Sequence, residues 1–198
     1  MRQIKVLLLG VCMAFLAVSC VKKGDPNSAK PKGYFRIEIP EPQYKIFDSV
    51  IPFQFEKNEL AKLKISKKEQ DNMWIDIDYP LLNATFKMTS IKFHNNLRDL
   101  MYNEDKMLMF HVENRKADDI QYSVIEDSEA GLYGYIYDIE GIGAATPLRF
   151  WVTDSTSHFV RGSLYFNFVP NNDSLQPVIQ YLRNDLLQMI ETWKWNKK

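Results

Sequence analysis

The chain has 198 residues, 45% hydrophobic and 25% charged, a globular composition rather than a disordered or fibrous one. Its 25 Lys and Arg balance 25 Asp and Glu, so no overall field draws in nucleic acid or a polyacidic ligand. No nucleic-acid partner is expected.

Arg2 and Lys5 precede an uncharged run from Val6 to Val18, which closes in Ala17-Val18-Ser19-Cys20. That run of 13 residues is too short to cross about 30 Å of hydrocarbon as a helix. Residues 1–19 therefore read as a lipoprotein signal peptide, with small residues before a cysteine whose sulfur is acylated. Cys20 is the expected lipidation site and the membrane the expected first partner. Cleavage there leaves 179 residues and no free thiol, since Cys12 departs with the signal and Cys20 carries lipid. Thiol catalysis, redox exchange and Cys-ligated metal sites are thereby excluded.

Residues 20–32 combine the lipidated cysteine with a basic tether rich in Pro and Gly, whose twelve residues after Cys20 reach on the order of 40 Å at most. Residues 33–198 read as a single α+β domain. Phe35, Ile37 and Ile39 alternate with polar residues as a first strand, closed by Pro40 and Pro42. The same period runs through Ile51-Phe53-Phe55, Ala61-Leu63-Ile65, Met73-Ile75-Ile77-Tyr79 and Ala84-Phe86-Met88, an antiparallel meander. Asn95 or Asn96 caps a helix with Leu97, Leu100, Met101, Leu108, His111 and Val112 on one side. Strands return at Ile120-Tyr122-Val124 and Tyr133-Tyr135-Tyr137. Leu148-Phe150-Val152 then turns at Asp154 to Ser157 into Val160-Leu164-Phe166.

The last element has the clearest pattern. Leu175, Val178, Ile179, Leu182, Leu186, Met189, Ile190 and Trp193 form one apolar stripe, with Asp173 or Ser174 as cap, Pro177 in the first turn and Lys194, Lys197 and Lys198 at the negative end. Such a stripe needs a sheet to cover. The expected architecture is an antiparallel sheet with two covering helices, an order of elements similar to the Mog1/PsbP-like sandwich.

Candidate chemistry is sparse. His94, His111 and His158 are far apart and show no metal-ligand spacing. Asp154, Ser155, Ser157 and His158 hold the residue types of a hydrolytic triad, but neighbours in one turn rarely converge as a triad does. Asp76 and Asp78 share one face of a strand, about 7 Å apart, yet lack a calcium-loop context. Gly141-Ile142-Gly143-Ala144-Ala145 is followed by Pro147 and a strand instead of the helix a dinucleotide fingerprint needs. No metal, cofactor or small-molecule substrate is expected. Tyr34, Arg36, Arg149, Trp151, Arg161 and Tyr165 lie on the polar sides of predicted strands, and Arg with aromatics is the composition of protein-binding anchors. Two arrangements are open: an exposed docking face, or a face covered by the second helix with Trp151 in the core.

Taken together, the signal and the segments Pro31 to Ile37, WIDIDYP (74–80), Lys116-Ala117-Asp118, Tyr137-Asp138-Ile139, DSTSHFVRGSLYFN (154–167) and the terminal NDSLQPVIQYLRNDLLQMIETWKW resemble the gliding motility lipoprotein GldD family. The resemblance implies a non-enzymatic cell-envelope protein of the Bacteroidota type, required for gliding, associated with type IX secretion and acting through protein–protein contacts. It implies partners among gliding and type IX secretion proteins. With no acidic run after Cys20, the outer membrane facing the periplasm is the expected location. Competing readings are an envelope hydrolase acting on peptidoglycan or polysaccharide, and a small-ligand carrier. The resemblance further implies cysteines in relatives at the positions of Ile51 and Met73, which would make these two neighbours across adjacent strands. It also suggests O-glycosylation in Asp-Ser motifs, with Ser49 and Ser155 the better candidates and Ser174 competing with helix capping.

Overall fold

Alternating apolar residues need a sheet with a buried face, and the computed structural model places them in one. It describes residues 38–47, 49, 51–69, 72–114, 117–141 and 144–196. The signal peptide, Cys20, the tether, and Tyr34 to Ile37 of the predicted first strand lie outside these residues.

Among the described residues, ten strands and two α-helices follow in chain order: β1 (Tyr44–Phe47), β2 (Phe53–Asn58), β3 (Lys62–Glu69), β4 (Asn72–Tyr79), β5 (Ala84–Lys92), α1 (Leu97–Asn114), β6 (Asp119–Asp127), β7 (Leu132–Glu140), β8 (Leu148–Thr153), β9 (His158–Phe166), α2 (Asn172–Glu191) and β10 (Lys194–Trp195). Seven strands form one antiparallel sheet in the order β3-β4-β5-β9-β8-β7-β6, and β1-β2-β10 form a second, smaller one. Two meanders thus join where β5 pairs with β9 from Ala84↔Phe166 to Lys92↔His158. The α+β architecture expected from the sequence is the one observed.

The period-two pattern decides which side chains meet α2. Ile75, Ile77, Phe86, Met88, Phe150, Val152, Val160 and Leu164 form one core with Val178, Leu182, Leu186 and Met189 of α2. Trp193 anchors the end of this core, stacked on Phe53 at 4.3 Å and on Phe55 at 5.5 Å. On the opposite sheet face a smaller cluster of Phe93, Trp151 and Phe159 receives Leu97 and Leu100 from α1. Each helix therefore covers one side of the large sheet.

Several sequence expectations shift. The cap of α2 is Asn171, whose side chain accepts from Ser174 N at 3.4 Å, so the helix starts before Asp173 and Pro177 falls in its second turn. The helix ends at Glu191 with no basic residue in its last turn, and Lys194 belongs to β10, paired with Gln54 of β2, while Lys197 and Lys198 lie outside the described residues. Trp195 Nε1 donates to Gly131 O at 3.1 Å, so the chain end straps the β6–β7 turn. Strands β1 and β10 were not anticipated. Ile51 and Met73 share the main core, but they are not neighbours on adjacent strands: the strand after Ile51 pairs with β1 and β10, and that of Met73 with β3 and β5.

Candidate functional site

The helix α1 has the residues of a surface helix and one exception to that pattern. Asn96 O accepts the first helical bonds, from Asp99 N and Leu100 N, and the stripe Leu97, Leu100, Glu104, Leu108 turns toward the sheet. Glu104 is buried there at 4% exposure. Its carboxylate accepts from Arg149 Nη2 at 2.9 Å and from Arg161 Nη1 at 2.6 Å, while Met107 Sδ lies 3.7 and 3.6 Å from the same two groups. A buried acid is tolerated only with its charge matched, and two guanidinium groups from β8 and β9 supply that match.

The predicted docking residues divide accordingly. Arg149 and Trp151 are buried under α1, so they do not form an open docking face. Trp151 stacks on Phe159 at 5.4 Å and donates from Nε1 to Tyr137 Oη at 3.4 Å. Arg161 is partly exposed beside them, and Tyr165 stands on the same sheet face, opposite Thr85. Tyr34 and Arg36 lie outside the described residues. The covered arrangement is thus the observed one, with α1 as the cover rather than the second helix, because the alternating polar side of β8 and β9 carries the two cations that Glu104 requires.

The β8–β9 turn does bring its triad-like residues together, in a geometry that serves the turn. Asp154 Oδ1 accepts from the backbone of Thr156, Ser157 and His158 at 2.9, 2.7 and 2.8 Å. Its Oδ2 accepts from Ser157 Oγ at 3.0 Å and lies 2.8 Å from His158 Nδ1. Ser157 Oγ approaches that same Nδ1 at 2.9 Å. A triad base binds its orienting carboxylate through one ring nitrogen and its nucleophile through the other; here both lie on Nδ1. Burial pushes the Asp154 carboxyl up, but the N–H groups of His158, Ser157 and Thr156 with the His158 ring outweigh it and hold it well below the usual carboxylate range. Ser155 is exposed at this tip with φ 63°, and Ser49 is half-buried.

Asp76 and Asp78 are likewise engaged separately. Asp76 Oδ1 lies 3.7 Å from Lys87 Nζ, and Asp78 Oδ1 accepts from Thr85 Oγ1 at 2.7 Å. His94 is exposed. Of Gly141 to Ala145, residues 142 and 143 lie outside the described set; Gly141 O and Ala144 O accept from Asn172 Nδ2 at 2.8 and 3.1 Å, tying this loop to α2.

A second buried acid was missed entirely. Asp185 of α2, 5% exposed, accepts from Tyr44 Oη at 2.7 Å and from Asn58 Nδ2 at 2.8 Å, and Asn58 also donates to Tyr181 Oη at 2.8 Å. This network docks the β1–β2 hairpin on α2 and borders a cavity of about 10 Å³ lined by Phe55, Lys57, Tyr79 and Phe86, room for roughly one water. The available signal was its position one residue before Leu186, three after Leu182, at the flank of the apolar stripe.

The sequence matches the gliding motility lipoprotein GldD family across residues 24–195. The chain belongs to that family. It is thus a gliding motility lipoprotein, a class anchored to a membrane of the cell envelope through lipid. Among the described residues no helix is long and apolar enough to cross a membrane. No curated protein matches the chain. The family match ends at Trp195, so it spans every helix and strand of the described residues, including the Glu104 pair that fixes α1 to the sheet.

Proposed function

We propose that this GldD-family lipoprotein acts by contact: acylated Cys20 holds it to the periplasm-facing side of the outer membrane, and its domain binds other proteins of the gliding apparatus and of the type IX secretion system. The observation that carries this reading is the outer side of α1. Tyr102 and Met109, seven residues apart and so on one face, are 59% and 53% exposed there. Large apolar side chains this exposed on the outside of a helix have a cost that a partner surface removes. The titratable groups that catalysis would need are spent on docking elements: Glu104 on α1, Asp154 on its turn, Asp185 on the β1–β2 hairpin.

A photo-crosslinking residue placed at Tyr102 or Met109 in living cells tests this, with Gln176 on α2 as the comparison. Discrete protein adducts are expected from α1 positions, weak ones from Gln176, and loss of the α1 adducts with membrane association in Cys20→Ser. Absence of α1 adducts, or adducts indifferent to Cys20→Ser, overturns the reading.

A further inference from the structure

The large sheet ends in two unlike edges. At one, β3 carries Lys62, Lys64, Lys67 and Lys68, and its register with β4 breaks between Ile65 and Lys67. Lysines and a bulge are what keep an edge strand from accepting another chain. At the other edge, β6 pairs with β7 over nine residues from Asp119↔Glu140 to Asp127↔Leu132 with no register shift. It holds no Lys, Arg or Pro, and Tyr122 and Val124 at its centre are 67% and 60% exposed. Among the described residues no strand pairs with the outer side of β6. One edge is blunted and the other is open.

Charge narrows what can sit there. Residues 117–141, which contain the whole β6–β7 hairpin, hold seven acidic side chains and no Lys, Arg or His. Asp118, Asp119, Glu126 and Asp127 stand exposed at the two ends of β6. A second copy pairing antiparallel through its own β6, centred on Ser123, sets Asp119 opposite Asp127 twice, and like charges directly opposed destabilise a ladder. A basic strand has the opposite effect.

We infer that β6 is a strand-addition site, which takes an extended segment of a partner protein carrying Lys or Arg at both ends and β-branched or aromatic residues between them. Backbone N–H and C=O groups on the open side of β6 supply the bonds, Tyr122 and Val124 supply cross-strand contacts, and the acidic ends fix register. This deepens the contact reading above and rests on it.

The test uses the processed chain with Cys20→Ser and the peptide Lys-Lys-Val-Ile-Thr-Val-Thr-Ile-Lys, read by fluorescence anisotropy and by amide hydrogen exchange. In the free protein alternate amides of residues 119–127 exchange quickly; saturating peptide slows them by about tenfold or more. Replacing the peptide lysines by glutamate, or giving β6 the character of β3 with Tyr122→Lys and Val124→Lys, weakens binding by about tenfold or more. Where the lysine variant fails to fold, Asp119→Asn with Glu126→Gln keeps the apolar centre and is expected to lose affinity and salt dependence. Three results overturn the inference: amides of β6 already protected in the free protein, by its own amino-terminal segment or a second copy; peptide that protects α1 and not β6; or equal binding by the variants. Failure here with crosslinks at α1 intact removes the strand-addition site and leaves the contact function standing.

Discussion

Glu104 of α1 and Arg149 of β8 meet at 2.9 Å with side chains 4% and 9% exposed, an ion pair sealed between a helix and a sheet. Removing one member of such a pair strands the other charge away from water, at a cost of about 3–5 kcal/mol. Glu104→Ala takes the carboxylate away from the buried Arg149 guanidinium and is expected to destabilise by about that amount, with loss of the Trp151 near-ultraviolet dichroism as α1 detaches. Arg161→Ala removes a group 30% exposed and is expected to cost less. Urea unfolding of both variants measures the difference; equal small losses would show that the pair does not hold the helix.

Asp154 is the organiser of the β8–β9 turn, since its Oδ1 alone satisfies three backbone donors. Hydrogen bonds to a charged acceptor contribute about 1.5–3 kcal/mol, so Asp154→Ala is expected to destabilise by about 2 kcal/mol or more, whereas Ser157→Ala, which loses the hydroxyl's contacts with Asp154 Oδ2 and His158 Nδ1 but none of the backbone bonds, is expected to cost less. The depressed folded-state pKa fixes the sign: the contribution is present above the ordinary carboxylate value near 3.9 and lost as pH falls through the lower folded value. Unfolding curves below pH 4 should therefore fall more steeply for the native chain than for Asp154→Ala. Parallel curves would contradict the role given to this carboxylate.

Particular residues show what the sequence made legible. Period two at Ile75-Ile77, Phe86-Met88 and Phe150-Val152 placed the core correctly because a sheet face must be apolar throughout to stay buried. The stripe on α2 was readable for the same reason. Strands β1 and β10 were not, since Tyr44–Phe47 and Lys194–Trp195 alternate too briefly to stand out, and pairing with β2 alone defines them. The burial of Arg149 and Trp151 was an even choice from sequence. Glu104 held the answer: it occupies the stripe between Leu100 and Leu108, where a carboxylate demands cations on the facing strands. Asp185 escaped notice because its partners, Tyr44 and Asn58, are 141 and 127 residues away in the chain.

Two strand glycines mark close approaches of different kinds. A Cβ on Gly134 would sit on the Trp151 carbonyl oxygen, part of the backbone, while a Cβ on Gly162 would meet the Phe150 ring and lie 3.1 Å from Met88 Cγ. Overpacking of this sort costs about 1–3 kcal/mol. Both Gly134→Ala and Gly162→Ala are expected to lower the thermal midpoint. Adding Phe150→Leu should recover part of the loss in Gly162→Ala, since a side chain is what obstructs it, and none in Gly134→Ala. Equal recovery in the two backgrounds would refute the distinction.

Asp185 should respond to acid in the opposite sense from Asp154. Burial raises its carboxyl above the usual range, more than the hydrogen bonds from Tyr44, Asn58 and Tyr79 lower it. The folded protein therefore holds this proton more tightly than the unfolded chain does. The resulting stabilisation is complete below the ordinary value near 3.9 and vanishes as pH rises through the folded value. Asp185→Asn cannot gain that proton, so the native chain is expected to gain stability relative to the variant as pH is lowered from 7 toward 4, with no further change below. Urea midpoints at pH 7, 6, 5 and 4 for both proteins decide it. The two carboxylates act in separate windows, Asp185 above the ordinary value and Asp154 below it, so a gap between native and Asp185→Asn that stays constant down to pH 4 would mean that the hydrogen bonds of Tyr44, Asn58 and Tyr79 cancel the cost of burial.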